Sequence, residues 1–201
     1  MEQMKSIVDA TAWKCFAFAV VLALAVGCQT VATTPPASST STSAAVAAPS
    51  LGFFSKIKAP ADTEPVLRLG ARGVQIFRCE KRDAAWSWVF RQPEAELLDA
   101  SGRLVARHGA SFSFEHVDGS RLLSTIAAYD EAPKATDLRW LLLTTRSFGK
   151  GAFEGVTHVQ RVNTQGGMPP AKCEPNQSGQ LLRVDFSSDF VFYRLRARAA
   201  G

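Results

Sequence analysis

No apolar run in the 201 residues is long enough to cross a bilayer as a helix. The longest candidate, Cys15–Gly27, has 13 residues and is closed by Lys14, whereas a spanning helix needs about 20. A strong charge of one sign is also missing: 23 basic against 18 acidic residues leave a net +5. Removing residues 1–28 takes out Glu2, Asp9, Lys5 and Lys14 and leaves that balance unchanged. It falls far short of a nucleic-acid footprint. There is no GxSxG, HExxH or CxxC, and no clustered Cys/His spacing, so the familiar nucleophile and metal signatures are excluded. "SFGKG" around Lys150 lacks the glycine due at Thr144 and the hydroxyl residue due after the lysine of a phosphate loop. "GKGAFEG" (149–155) is one residue too long for a dinucleotide fingerprint and no helical pattern follows it. No cofactor or metal is expected. Internal repeats are absent, and no segment holds a sustained 3.6-residue period with caps.

What is present begins with the apolar run itself, whose length suits the h-region of a secretory signal peptide. Its n-region is nearly neutral, because Glu2 and Asp9 offset Lys5 and Lys14; a start at Met4 in place of Met1 drops Glu2. The end of the run, "LALAVGCQT" (22–30), resembles the lipobox of bacterial lipoproteins. The resemblance implies that Cys28 receives a diacylglycerol, that the chain is cut before it, and that the new amino group is acylated. Ala25 stands where leucine is commonest, and Gln29 stands where an aspartate would retain a lipoprotein at the inner membrane. An ordinary cleaved signal with a chance cysteine, or an uncleaved anchor, are the alternatives. Residues 29–50 have no charge and no aromatic residue, and are mostly Ser, Thr, Ala and Pro. Such a segment cannot bury enough apolar surface to order itself and reads as a tether of roughly 25 Å. The expected organisation is a signal peptide over 1–27, a linker over 28–50, a transitional segment over 51–59 packing Phe53 and Phe54 onto the domain, and a globular domain over 60–198.

With Cys15 in the signal and Cys28 as the lipid site, Cys79 and Cys173 remain as an even pair. In an exported chain a disulfide is the expected outcome; a shared metal site or two free thiols are the alternatives.

A hydrophobic fraction of 46% with 20% charged residues supports a packed core. The apolar pattern is that of strands: "VLRL" (66–69), "GVQIFRC" (73–79), "AWSWVF" (85–90), "RLLSTIAAY" (121–129), "RWLLLTTRS" (139–147), "GVTHVQRVN" (155–163) and "DFVFYRLRA" (189–197). Asp99–Gly102 and Asp118-Gly119 mark turns. The expected fold is all-β, a single antiparallel sandwich or barrel of roughly 9–11 strands.

"LRLGARGVQIFRCE" (67–80), the long run 88–120, "WLLL" (140–143), "GVTHVQRVNTQGG" (155–167), Cys173 and "FYR" (192–194) together resemble the domain of unknown function family numbered 3455. The likeness covers nearly all of 60–196 and implies an exported domain, with no activity attached. The chain departs at "ASFSFEH" (110–116), where the family pattern has a Gly-Pro-Thr-Trp-Glu-like run, so a site lined by that run is altered here.

Side chains that read as site candidates come from within strands. In "VQRVNTQGG", Arg161 and Asn163 fall on one face and Gln160 on the other. With Gln75, His108 and Trp140 they are expected either to line a polar–aromatic pocket or to form a buried network. His116 and His158 add no fixed metal spacing. Glu94 and Glu96 beside Pro93 read as solubilising charges on an edge strand. Arg194, Arg196 and Arg198 fall on one side of the last segment. The resulting functional expectation is a lipid-anchored, exported binding or envelope-associated module. It would sit at the outer membrane, facing the periplasm or the cell surface. Its partner would be a small molecule, a glycan or an envelope protein, and not nucleic acid. A hydrolase or isomerase built on His108, Arg161 and Asn163, and a purely structural protein–protein domain, are the alternatives.

Overall fold

A computed structural model describes residues 45–197; the signal segment, Cys28, the first part of the linker and Arg198 lie outside the described residues. Eight strands follow in chain order: β1 Thr63–Arg82, β2 Ala85–Leu98, β3 Leu104–Gly109, β4 Ser113–His116, β5 Arg121–Asp130, β6 Trp140–Phe148, β7 Val156–Gly166 and β8 Leu181–Leu195. Each pairs antiparallel with the next, and β8 pairs back onto β1, closing a barrel. The fold is all-β, as its alternating patterns require. The strand count is eight and not nine to eleven, because "VLRL" and "GVQIFRC" are halves of one 20-residue strand. Gly70 lies inside that strand and does not break it.

Period-two alternation fills the interior. Leu69, Leu97, Phe114, Leu122, Leu143, Phe153, Val159, Phe190 and Phe192 form one buried cluster. Phe114 meets Phe190 and Phe192 edge-on at 5.1 and 5.6 Å between centroids, and Phe153 stacks on Phe192 at 4.9 Å. These pairs add directional energy to apolar burial. The outer face is different. Arg72, Glu96, Arg107, Glu115 and Arg121 stand opposite one another in register across β1 to β5, a row of alternating sign. Such a row belongs in water, whereas a lipid-facing barrel presents an apolar band.

Closure removes the edge on which Glu94 and Glu96 were placed. Glu94 instead pairs with Arg183 of β8 at 2.6 Å, and Glu96 joins the outer row. Outside β6, β7 and β8 the apolar pattern is nearly continuous because residues 51–60 cover them. Ile57 is fully buried against Leu142 and Val162, with Trp140 beside them. The Gln160 amide donates to the Ile57 carbonyl at 2.6 Å and accepts from the Tyr193 hydroxyl. Ser55 Oγ and the Lys56 amide both donate to Asp130. Ile57 therefore docks this segment, and Phe53 and Phe54 do not: they are 83% and 90% exposed.

Cys79 and Cys173 form a disulfide, pinning the segment between β7 and β8 to the far half of β1. Main-chain bonds support it there: Cys79 N–H donates to Gln180, and Gly179 N–H donates to the Cys79 carbonyl.

Candidate functional site

"GKGAFEG" shows how a phosphate-like loop closes without a phosphate. Asp118, in the turn after β4, accepts from the Ala152 amide at 2.7 Å through one oxygen and from the Ser120 amide and hydroxyl through the other. Those hydrogen bonds hold its carboxyl far below the usual carboxylate range. A Cβ on Gly151, whose φ is +130°, would fall 2.3 Å from the same carboxylate. The anion in this loop is the protein's own.

The concave feature of interest lies elsewhere, against β1, β2, β3, β4 and β8. It is a cleft of about 1010 Å³. Gly73, Ala95, His108 and Phe186 contribute barrel-lining positions, and Arg72, Glu96, Arg107 and Glu115 contribute charged ones. None of those four charged side chains makes an ion pair or a side-chain hydrogen bond among the described residues, although each faces an opposite charge in register. At Gly73 the backbones of β1 and β2 crowd together: an added Cβ would lie 2.1 Å from the Glu94 carbonyl oxygen. Only glycine fits there.

The chemistry of the cleft floor is set by His108. It is 2% exposed, stacked on Phe114 at 4.2 Å and edge-on to Phe190 at 5.2 Å. Burial pushes its pKa down to about 3, with the nearby Arg161 charge adding to the same direction and the bond to Ser113 opposing it. The ring is neutral at pH 7. Its Nδ1 lies 2.9 Å from the Ser113 carbonyl, which can only accept, so Nδ1 bears the proton and Nε2 keeps its lone pair. The carbonyl comes from the segment "ASFSFEH" (110–116). There Ser111 and Phe112 both take positive φ, 55° and 52°. For a residue as bulky as phenylalanine this is strained backbone beside the cleft. Ser124 Oγ holds it by donating to the Phe112 carbonyl at 2.5 Å.

Arg161 on β7 is 6% exposed and stands opposite Phe190, the ring that also touches His108. One of its Nη groups donates to the Arg139 carbonyl at 3.0 Å, and its Nε has no partner. No acid pairs with it among the described residues, and burial alone brings its pKa down to about 10. Gln75 is buried two residues beyond Gly73, its Nε2 also unpartnered.

The structure thus brings His108 and Arg161 together against Phe190 and places Trp140 and Asn163 apart from them. Trp140 lies on the outer face beneath the Ile57 segment, its indole N–H unpartnered. Asn163 does not share a face with Arg161. The β7–β8 register shifts between Val162 and Gln165, and Asn163 takes φ 53°. It points outward and donates to Asp189 at 2.8 Å, beside Arg68. A bulge of this kind breaks the alternation on which the shared face depended. Arg194 and Arg196 serve the barrel itself, donating to the Ala152 and Thr63 carbonyls. Sequence reasoning missed Gly73, Phe186, Ser188 (a buried hydroxyl without a partner) and the outer charge row. The charge row was visible only as scattered Arg and Glu until register aligned them.

Fold and site together define a closed eight-stranded up-and-down barrel with a cleft in its wall and an unpaired cation in its interior. A family model described as "Protein of unknown function (DUF3455)" matches residues 60–194, and the chain belongs to that family. No curated protein and no solved structure matches the chain.

Proposed function

We propose that the domain is a binding module for a small polar molecule bearing an acidic group, held in the cleft over His108. The observation that carries this reading is Arg161, a guanidinium buried in the barrel against Phe190, beside His108, with no acid to neutralise it among the described residues. An unpaired buried cation costs stability, and an incoming anion offsets that cost. The His108 lone pair suits a donor on the ligand, and Arg72, Glu96, Arg107 and Glu115 are free to bond its polar body. A general-base role suits His108 poorly, because its basicity is suppressed, and Asn163 stands outside the lumen.

The test is a thermal-shift panel of organic carboxylates, phosphate esters and neutral saccharides on the full chain. An acidic compound at about a hundred times its Kd is expected to stabilise by about 2.7 kcal/mol. Arg161→Met should abolish that response while leaving the unliganded protein as stable or more so, since the unpaired charge is gone. A response confined to neutral compounds, or one that survives Arg161→Met, rejects the reading.

The same proposal places the domain in the bacterial envelope, at the end of a lipid tether on Cys28. What supports this is the lipobox resemblance, the uncharged linker and a disulfide of the kind that persists in oxidising compartments. Fatty-acid labelling of the expressed chain is expected to disappear in Cys28→Ala; label that persists removes the anchor.

A further inference from the structure

Phe53 and Phe54, 83% and 90% exposed, are the most exposed large apolar side chains among the described residues. They sit together at the tip of a turn closed by the Ser55 amide on the Gly52 carbonyl, their rings edge to face at 5.0 Å. The turn is not loose. Ser55 and Lys56 are bonded to Asp130, and Ile57 is locked under the Gln160 amide, so the rings are held away from the barrel. Two cations flank them. Lys58 Nζ lies 5.3 Å from the Phe53 ring centre and donates to the Phe53 carbonyl, and Lys56 is exposed.

We infer that this turn is a second membrane contact: Phe53 and Phe54 enter the interface of an anionic bilayer while Lys56 and Lys58 meet its headgroups. A rigid aromatic pair bordered by lysines matches the acyl boundary beneath anionic phosphates. The course of the chain points to the same occupant. The apolar run at 15–27 and the uncharged linker lead directly into this turn, so the tether enters the domain here. The inference agrees with the tethered reading above but rests on the turn itself. It also orients the barrel. The turn is fixed to Asp130, which pairs with Trp140 at the start of β6, so Lys150, in the loop that follows the other end of β6, faces away from the bilayer.

Acetylation by a water-soluble reagent, read residue by residue by mass spectrometry, tests it on the full chain. The vesicles are phosphatidylcholine with one quarter phosphatidylglycerol. Labelling of Lys56 and Lys58 is expected to fall at least fivefold relative to Lys150 in the same sample. In Phe53→Ser/Phe54→Ser the protection should vanish, although the chain stays vesicle-bound through its N-terminal segment. Equal labelling of the three lysines overturns the inference, as does protection that survives the double substitution. Protection that rises with protein concentration in the absence of vesicles assigns the turn to a second copy, and also overturns it. Loss of the Cys28 label with protection intact removes the anchor and leaves this contact standing.

Discussion

Replacing Cys79 and Cys173 by serine is expected to lower the unfolding free energy by about 4–5 kcal/mol, the largest single loss we foresee. The bridge joins residues 94 apart, and in the chain-entropy account a loop of that size restricts the unfolded ensemble by about that amount. The bond also has a local role. It fixes the 167–180 segment against β1, where the Gly179 and Gln180 backbones pair with Cys79 and lead into β8. Since β8 closes the barrel against β1, losing the bridge slackens the seam on which closure depends. For a domain of this size the expected fall in Tm is about 10–20 °C. Denaturant titrations of the full chain with and without reductant, alongside the double serine variant, measure it. Reduced protein and variant should coincide. A shift below 1 kcal/mol in both would show that the segment is held by its main-chain bonds alone.

Acid lability centred on His108 is the second large effect. Its folded pKa, about 3, lies below the 6.5 of an exposed histidine, so the unfolded chain binds a proton that the folded barrel refuses. Stability must then rise with pH throughout that interval. Read downwards, it is fully present above pH 6.5 and is lost progressively towards pH 3. Between pH 6.5 and 4.5 the loss from this ring is about 2 kcal/mol. His158, lowered by partial burial, adds a smaller slope in the same window. The carboxylates of Glu94, Asp99, Asp118 and Glu154, all depressed, lose their contribution only below about pH 4. The upper window therefore isolates histidine. His108→Phe keeps an aromatic ring against Phe114 and removes the proton site. Its stability should be nearly flat from pH 6.5 to 4.5 in equilibrium unfolding, apart from the His158 slope. A variant as acid-sensitive as the parent would place the titrating group elsewhere.

Both effects come from groups whose importance the chain announced unevenly. The cysteine pair was legible by counting, because Cys79 and Cys173 are the two left over once the N-terminal segment is set aside, and an even pair far apart in the chain suits a bridge. His108 was legible as a candidate but not as a neutral ring. Its tautomer follows from the Ser113 carbonyl, which reaches it only through the strained turn at Ser111 and Phe112. Arg161 was visible as a charge inside an apolar strand. That no acid lies opposite it is a fact of packing, since any of 18 acidic residues was available by sequence. Asn163 was misplaced because alternation is reliable only where a strand has no bulge. Phe53 and Phe54 were misplaced because hydrophobicity alone does not say which of several apolar residues finds a groove, and Ile57 found it.

The sequence by itself determined the all-β class, the cysteine pairing, the family and the identity of most interior residues. Each follows from local pattern or from composition, and period-two alternation needs no knowledge of neighbours. Tertiary structure alone decided that eight strands close on themselves, that Arg and Glu align into one outer row, and that Arg161 is left without a counter-charge among the described residues. These depend on register between strands far apart in the chain. Backbone hydrogen bonding sets that register, and the same N–H and C=O groups are present at nearly every residue.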